Sequence, residues 1–400
     1  MKRVGIIGGG QLAWMMRDAA KKLGVELVVQ TPNSDDPAVA IATETVFASI
    51  DDAIATALLA EKSDVITFEN EFVNLEALSP LAEQGVRFRP RLEALTPLLD
   101  KYHQLRYLQN LGLPVPKFFA LEQEDERRLP TSQLSSQLGF PLVLKARRHG
   151  YDGQGTFIFK DQDSLKQKLE FTGIKDASCQ GIYLLEEFIP YERELAVIAA
   201  RSVEGEVCCY PVVETQQKEQ VCRRVIVPAQ IPPELKVEIE DIARTLLNSL
   251  EAVGVFGIEL FLTSDRRLLV NEIAPRTHNS GHFSLDACET SQFEQHLRAV
   301  CGLSLGSPAL HCAGAVMVNL LGYENSQNIS IPQSGEIIHE DYLKKLSLIK
   351  QIPQAHVHWY GKNESRPGRK LGHITVLLDS TSLNKASAIA HTIESIWYSS

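Results

Sequence analysis

The sequence predicts an α/β protein that opens on a doubly wound domain, and three observations carry this. Lys2–Ile7 is a short apolar run ending in Gly8-Gly9-Gly10, after which Leu12, Met15, Met16, Ala19, Ala20 and Leu23 recur at helical spacing. A second apolar run, Val25–Gln30, follows at once, so the order is strand, glycine turn, helix, strand. Further on, Gly257–Phe261 and Leu269–Ile273 read as apolar strands, each interrupted by a carboxylate, Glu259 and Glu272.

The elements follow in chain order. Gly24 stops the first helix, and Asp64–Phe68 and Val86–Arg89 continue the opening sheet, which ends near Pro90–Thr96. Lys101–Leu111 is a helix, stopped by Gly112, Pro114 and Pro116. Phe140–Ala146 is a buried strand, Arg147–Gly155 a glycine-containing turn, and Thr156–Phe159 the returning arm of a hairpin. Ser164–Phe171 is helical. Tyr183–Phe188, Glu194–Ala200 and Cys208–Val213 are strands, and Pro232–Leu250 is a long helix. Phe256–Leu262 and Leu268–Glu272 form an antiparallel pair around Ser264-Asp265. Residues 310–400 hold short strands, a Pro/Gly/Arg turn at 366–372 and a last helix over Leu383–Ile396.

Composition narrows the function. The chain has 400 residues, 44% apolar and 22% charged, as in an ordinary soluble globular protein of several domains. Its net charge of −10 argues against a partner bound through nucleic-acid phosphates, which favours a basic surface. The seven cysteines are an odd count without a C-x-x-C pair, so neither a disulfide framework nor a zinc site is expected, and reduced thiols in a cytoplasm are. No apolar run approaches the ~18 residues of a membrane span, so no membrane partner is expected. Met1-Lys2-Arg3 leads straight into the first strand, too short for a signal peptide.

The motifs carry the chemistry. Gly8-Gly9-Gly10-Gln11-Leu12-Ala13 fits G-x-G-x-x-A, yet the second strand ends Gln30-Thr31 with no acid to hold a ribose; the nearest are Asp35 and Asp36. A dinucleotide site, a plain turn and an anion on the helix N-terminus all stay open there. Lys145 ends a strand before Arg147-Arg148-His149-Gly150-Tyr151-Asp152-Gly153-Gln154-Gly155, a loop whose backbone amides suit phosphate oxygens; a solvated basic hairpin is the bland alternative. Glu259 and Glu272 are costly inside apolar strands unless a cation meets them, and with Asn271 they make an oxygen cage for Mg²⁺. The alternative pairs one Glu with Arg276 and leaves the other at the rim. Glu186-Glu187-Phe188-Ile189 and Glu194 follow or interrupt apolar runs and suit an adenine edge and a ribose hydroxyl, or a solvated turn. His278 and His282 stand four apart beside glycine and proline, where no helix brings them together on zinc. Tyr360-Gly361-Lys362 and Arg366-Pro367-Gly368-Arg369-Lys370-Leu371-Gly372-His373 form a basic cluster suited to one ligand phosphate, or a solvated loop.

In this order, the glycine loop, Lys145 before Gly150–Gly155, Glu186 with Glu194, Glu259 with Asn271-Glu272, and the strings Pro275-Arg276-Thr277-His278-Asn279-Ser280-Gly281-His282 and Arg366–His373 resemble the ATP-grasp ligases. Within them the chain resembles the N5-carboxyaminoimidazole ribonucleotide synthetase family, from Val4 to about Val376. The resemblance implies an ATP-grasp fold with an N-terminal Rossmann-like (pre-ATP-grasp) domain at 1–98, the grasp at 99–302 with its smaller lobe at about 115–182, and a small C-terminal domain at 303–400. It implies ATP and Mg²⁺, or Mn²⁺, as cofactors. Lys101, Lys145, Gly150, Tyr151, Asp152, Gly153, Gln154, Gly155, Thr156, Glu186, Glu187, Phe188, Ile189, Glu194, Gln217, Asn271 and Glu272 would meet the nucleotide, with Glu259 and Glu272 on the metal. Gln11, Leu12, Glu69, Tyr151, Asp152, Asn279, Lys362, Arg369 and Lys370 would hold 5-aminoimidazole ribonucleotide. Lys145, Tyr151, Asp152, Asn279 and Arg276 would be the catalytic set.

The implied reaction uses bicarbonate and proceeds through carboxyphosphate, with a homodimer as the enzyme and a separate mutase taking its product. The chain departs from the family pattern at Ala13-Trp14, where Gly-Arg is usual, at Gln154, where a basic residue is usual, and at Gln217, where histidine is common. The competing readings are a formate-dependent glycinamide ribonucleotide transformylase, which would carry an acid near Asn279, a dinucleotide-dependent oxidoreductase, and a non-catalytic nucleotide-binding regulator.

Overall fold

Three sheets order the chain in a computed structural model that describes residues 2–121, 131–148, 155–171, 183–323, 337–362 and 365–398. β1 (Lys2–Ile7), β2 (Val25–Thr31), β3 (Glu44–Phe47) and β4 (Val65–Phe68) form a parallel sheet in the order β3-β2-β1-β4. Val4, Ile6 and Ile7 are fully buried, as a parallel strand covered on both faces requires. β5 (Phe118–Leu121), β6 (Leu142–Ala146), β7 (Thr156–Phe159) and β8 (Tyr183–Glu187) make a small antiparallel sheet, β5-β8-β6-β7.

The third sheet is the largest. β9 (Tyr191–Arg201), β10 (Val207–Cys209), β11 (Val213–Lys218), β12 (Val221–Val227), β13 (Gly254–Thr263), β14 (Leu268–Ala274), β15 (Gly314–Leu321), β16 (Ala355–Trp359) and β17 (Lys370–Leu378) run antiparallel. Their order is β14-β13-β9-β11-β12-β15-β17-β16, with β10 beside β9. Strands from either side of residue 302 therefore share one sheet, joined where β12 pairs with β15.

Two helices fix this frame. Pro233–Leu250 places Leu235, Ile239, Ile242 and Leu246 on one face, buried in one core with Val197 and Leu260 of the large sheet. Gln292–Cys301 packs Phe293, Leu297 and Val300 among Val4, Ile6 and Met16 of the first sheet's layer. From the same helix His296 bridges two sheets: its Nε2 is 2.8 Å from Thr67 Oγ1, and its Nδ1 accepts from Val255 N–H at 3.2 Å.

Several sequence expectations need correction. The helix read through Leu12–Leu23 is two, Gln11–Trp14 and Arg17–Leu23, broken at Met15-Met16. Both methionines are buried, so the apolar spacing reflects packing across the break. Val86–Arg89 is no strand; only Phe88 bridges to Ile66. Cys208–Val213 is interrupted between β10 and β11, where Tyr210 is buried and donates its hydroxyl to Thr290 O at 2.9 Å. Helices Ala53–Glu61, Leu75–Glu83, Gln292–Cys301 and Ile337–Ile349 and strands β3 and β12 went unread. In Gln292–Cys301 the polar Gln292, Glu294, Gln295 and His296 are themselves buried, which erases the apolar stripe a surface helix shows. Among the described residues no helix is long and apolar enough to cross a membrane.

Candidate active site

The two strand carboxylates face one another. Glu259 on β13 and Glu272 on β14 are direct cross-strand partners, and the register shifts immediately after Glu259. Leu260 then pairs with Val270, leaving Asn271 as the extra residue of a bulge. Consecutive strand residues normally point to opposite faces. The bulge instead leaves both Asn271 and Glu272 partly exposed between buried Val270 and Ile273. Asn271 Nδ2 is 3.4 Å from Glu259 Oε2, and the Glu272 side chain keeps 41% of its surface open.

Two lysines from other elements close on this pair. Lys101 opens the helix Lys101–Asn110, and its Nζ is 2.7 Å from Glu272 Oε2. Lys145, near the end of β6, donates to Glu186 Oε1 on β8 at 2.7 Å and to Asn271 Oδ1 at 3.1 Å. One ammonium thus ties the small sheet to the large one. Burial, and then the neighbouring Glu272 and Glu194, push the Glu259 carboxyl above its usual range. Burial acts the same way on Glu272, but Lys101 and Lys145 outweigh it and hold that carboxyl below its usual range. Lys101 is raised in turn, because Glu272 overcomes the cost of its burial. Two carboxylates and an amide oxygen around one point are the hard oxygen donors that suit Mg²⁺.

The lysine network rests on a buried pair that sequence reading missed. Asp100 caps the helix of Lys101, accepting from the Tyr102 and His103 amides at 3.0 and 3.2 Å. The same carboxylate takes Arg147 Nε at 2.9 Å, and the Arg147 carbonyl accepts from Lys101 N–H at 2.9 Å. Arg147 also lies over the Tyr102 ring, 5.0 Å from its centroid.

A second group lies at the carboxyl ends of β1 and β4, adjacent strands of the parallel sheet, where open α/β folds bind ligands. Glu69, just past β4, accepts from Leu12 N–H at 3.3 Å, and a Cβ on Gly10 would come within 2.5 Å of its Oε1. Burial raises the Glu69 carboxyl, against the pull of Arg276. Arg276 itself forks onto Glu71, its NH2 3.1 Å from Oε1, rather than onto either strand carboxylate. Lys362 reaches Gln11 Oε1 at 2.7 Å, and the charge of Lys370 is felt at Glu259. Asn279 exchanges two amide hydrogen bonds with Asn319 of β15, at 3.0 and 2.8 Å.

The remaining expected residues fall as follows. Glu186 is buried around its Lys145 contact, and Glu187 Oε1 accepts from Lys117 N–H at 2.8 Å. Phe188 and Ile189 span the turn from β8 to β9. Glu194 pairs across β9 and β13 with Phe261, and its neighbour Tyr191 stacks flat on that ring at 4.7 Å. Gly155 and Thr156 stand at the start of β7, Gly155 with φ +80°. Gln217 is exposed beside a bulge in the β11–β12 hairpin. Arg369 sits in the turn before β17, its N–H on Arg366 O at 3.0 Å. Gly150, Tyr151, Asp152, Gly153 and Gln154 lie outside the described residues. Asp100 stands directly before the helix read from Lys101, an N-cap signal that could have found it, whereas Glu71, Asn319 and the His278–Glu259 approach at 3.6 Å carry no local sequence signal.

Comparison with known proteins gives matches along the chain. Residues 1–97 match the ribonucleotide synthetase preATP-grasp domain, 106–293 the ATP-grasp domain and 315–387 the phosphoribosylaminoimidazole carboxylase C-terminal domain. The N5-carboxyaminoimidazole ribonucleotide synthase of Synechococcus elongatus is 53% identical over 401 residues, covering 99% of this chain and 96% of that one. The Bacillus subtilis protein of that name is 38% identical over 375 residues, covering 94% and 91%. The crystal structure of N5-carboxyaminoimidazole synthase from Aspergillus clavatus, in complex with ADP and 5-aminoimidazole ribonucleotide, superposes with a TM-score of 0.84 at 30% identity over 99% and 98% of the two chains.

Proposed function

The chain belongs to the N5-carboxyaminoimidazole ribonucleotide synthase family of ATP-grasp ligases, and from that premise we propose how its own residues divide the work. It is a ligase that carboxylates 5-aminoimidazole ribonucleotide to N5-carboxyaminoimidazole ribonucleotide using ATP, a step of purine biosynthesis. Neither the formate-dependent transformylase nor the oxidoreductase reading is favoured by these relatives.

The observation that carries the assignment of roles is the convergence of Lys101, Lys145, Glu186, Glu259, Asn271 and Glu272. Lys101 and Lys145 meet the phosphates or the adenine of ATP. The segment 150–156 covers those phosphates, Glu186–Ile189 face the adenine, and Glu194 takes the ribose. Gln217 borders the nucleotide. A Mg²⁺ or Mn²⁺ held by Glu259 and Glu272 would neutralise charge on the transferred phosphoryl group.

Bicarbonate is the carbon source in this reading. Its oxygen attacks the γ-phosphorus, the bond to the bridging oxygen breaks, and ADP leaves. The resulting carboxyphosphate separates into CO₂ and phosphate, and the exocyclic amine of the acceptor takes up the CO₂ as a carbamate, losing a proton. Gln11, Leu12, Glu69, Lys362, Arg369 and Lys370 bind the acceptor. Lys145, Tyr151, Asp152, Arg276 and Asn279 act at the reacting groups. The protein's task is to place charge and exclude water, since the intermediate hydrolyses.

Three units at 1–98, 99–302 and 303–400, a cytoplasmic homodimer and delivery of the product to a separate mutase complete the proposal. The test is ADP release with 5-aminoimidazole ribonucleotide, with and without bicarbonate, against glycinamide ribonucleotide with formate. ADP release that needs the first acceptor and bicarbonate is expected. Equal turnover with glycinamide ribonucleotide and formate would overturn it.

A further inference from the structure

One face of β16 and β17 gathers imidazoles. His356 and His358 are two apart on β16 and therefore share a face. Across the ladder His356 pairs with Thr375 and His358 with His373 on β17. From the short helix Ser284–Ala287, Asp286 reaches over this face: its Oδ2 is 2.8 Å from His358 Nε2 and its Oδ1 is 3.7 Å from His356 Nδ1. One ligand atom each from Asp286, His358 and His373 lie within 4.8 Å of one another.

The same patch holds polar atoms that the fold leaves unmatched. Among the described residues, His373 Nε2, Thr375 Oγ1 and His282 Nε2 are buried without a hydrogen-bond partner, in residues that are all 0% exposed. Buried polar groups are nearly always paired, so three orphans side by side call for an explanation. His373 is already oriented for ligation: its Nδ1 is 2.8 Å from the Tyr360 hydroxyl, which leaves Nε2 as the open position. A metal-bound histidine characteristically donates its other ring N–H to a carboxylate, backbone carbonyl or water, and the Tyr360 hydroxyl oxygen can accept in the same way. His282 is held the other way round: its Nδ1 accepts from Gln292 Nε2 at 3.0 Å, so its Nε2 carries the proton, and its ring lies 5.1 Å from that of His373.

We propose that His358, His373 and Asp286, with His356 at the mouth, form a binding site for a zinc-class divalent metal ion, separate from the carboxylates of the ATP cleft. Imidazole nitrogens with one carboxylate oxygen are the donor set of zinc and its neighbours, not of Mg²⁺. In a tetrahedral site with bonds of about 2.1 Å, ligand atoms lie roughly 3.4 Å apart, so binding draws these side chains inward. It also turns His358 and His373 out of the stack they form, with centroids 4.6 Å apart and planes at 14°. Asp286 belongs to the matched region 106–293, whereas the three histidines fall in the region 315–387, so the ion would clamp the two together.

The test uses the full chain after chelator treatment and dialysis. Zn²⁺ is titrated calorimetrically in excess Mg²⁺, Co²⁺ absorption reports the ligand field, and thermal midpoints are read with and without Zn²⁺. About one ion per chain, a tetrahedral Co²⁺ spectrum and a raised midpoint are expected. His358→Gln and Asp286→Asn should each weaken Zn²⁺ about tenfold or more while keeping the metal-free midpoint of the parent chain. Glu272→Gln should leave Zn²⁺ binding unchanged. The site is overturned if no Zn²⁺ binds, or if binding persists undiminished in both His358→Gln and Asp286→Asn. If either variant fails to fold, His356→Ala, at the exposed mouth, must still lower the affinity or the proposal fails.

Discussion

Lys362 Nζ donates to Gln11 Oε1 at 2.7 Å, joining residues 351 positions apart in the chain. The late basic turn and the glycine loop after β1 therefore meet at one place. A charge-assisted hydrogen bond to a phosphate dianion contributes ~1.5–3 kcal/mol. Lys362→Ala and Arg369→Ala are each expected to raise the acceptor KM about 10- to 150-fold, at roughly 1.4 kcal/mol per tenfold. The KM for ATP should stay nearly constant. Steady-state kinetics with each substrate varied decides this, and an ATP KM that rises instead would move the turn into the nucleotide site.

Glu272→Gln should abolish ATP turnover and leave the fold in place. The substitution removes a carboxylate that faces Glu259 directly and holds Lys101. With 41% of the Glu272 side chain open, its pairing with Lys101 adds only about 1 kcal/mol or less to stability. A near-parental melting temperature with no ADP formed at saturating Mg²⁺ is the expected pair of results. Substantial ADP formation would remove Glu272 from the machinery.

Gly10→Ala tests why the opening turn is glycine. The added Cβ would come within 2.5 Å of Glu69 Oε1 and 3.0 Å of its Cδ, so the carboxylate must move. A raised acceptor KM with an unchanged ATP KM is expected, matching the effect of Glu69→Gln. If Gly10→Ala alters neither, the turn is structural only.

His296 should make stability depend on pH. Burial lowers it from its ordinary 6.5 to about 4, and its Nδ1 accepts the Val255 N–H, which only the neutral ring can do. The unfolded chain then binds more protons than the folded one between pH 6.5 and 4. Stability is complete above that window and is lost as pH falls through it, by at most about 3 kcal/mol. The parental melting temperature should therefore fall more steeply across the window than that of His296→Gln. Equal slopes would show that His296 does not titrate on unfolding. His282 and His373 are lowered by burial too and contribute the same slope in both proteins.

Much of the fold was legible because local rules sufficed. β1, the hairpin β6–β7, the helix Pro233–Leu250 and the pairing of β13 with β14 each follow from apolar period and turn residues within one short window. The helix Gln292–Cys301 was not legible, since its buried His296 and Gln295 find partners on distant strands, at Thr67, Val255 and Cys208. Nor was the joining of β12 to β15, because no local pattern names a strand's neighbour.

The sequence by itself singled out the residues proposed here for the chemistry: Glu259 and Glu272 each interrupt an apolar strand, where a carboxylate is costly unless a cation meets it, and Lys145, Glu186 and Asn271 stand within or at the ends of such strands. Tertiary structure alone decided how they meet. Alternation would send Asn271 and Glu272 to opposite faces of the sheet, and the unpaired Asn271, opposite the step from Glu259 to Leu260, turns both into the cleft. It also set Arg276 on Glu71 and Asn279 on Asn319, partners far away in the chain. Such pairings depend on where separate strands come to lie, which is settled only when their apolar faces pack into a common core.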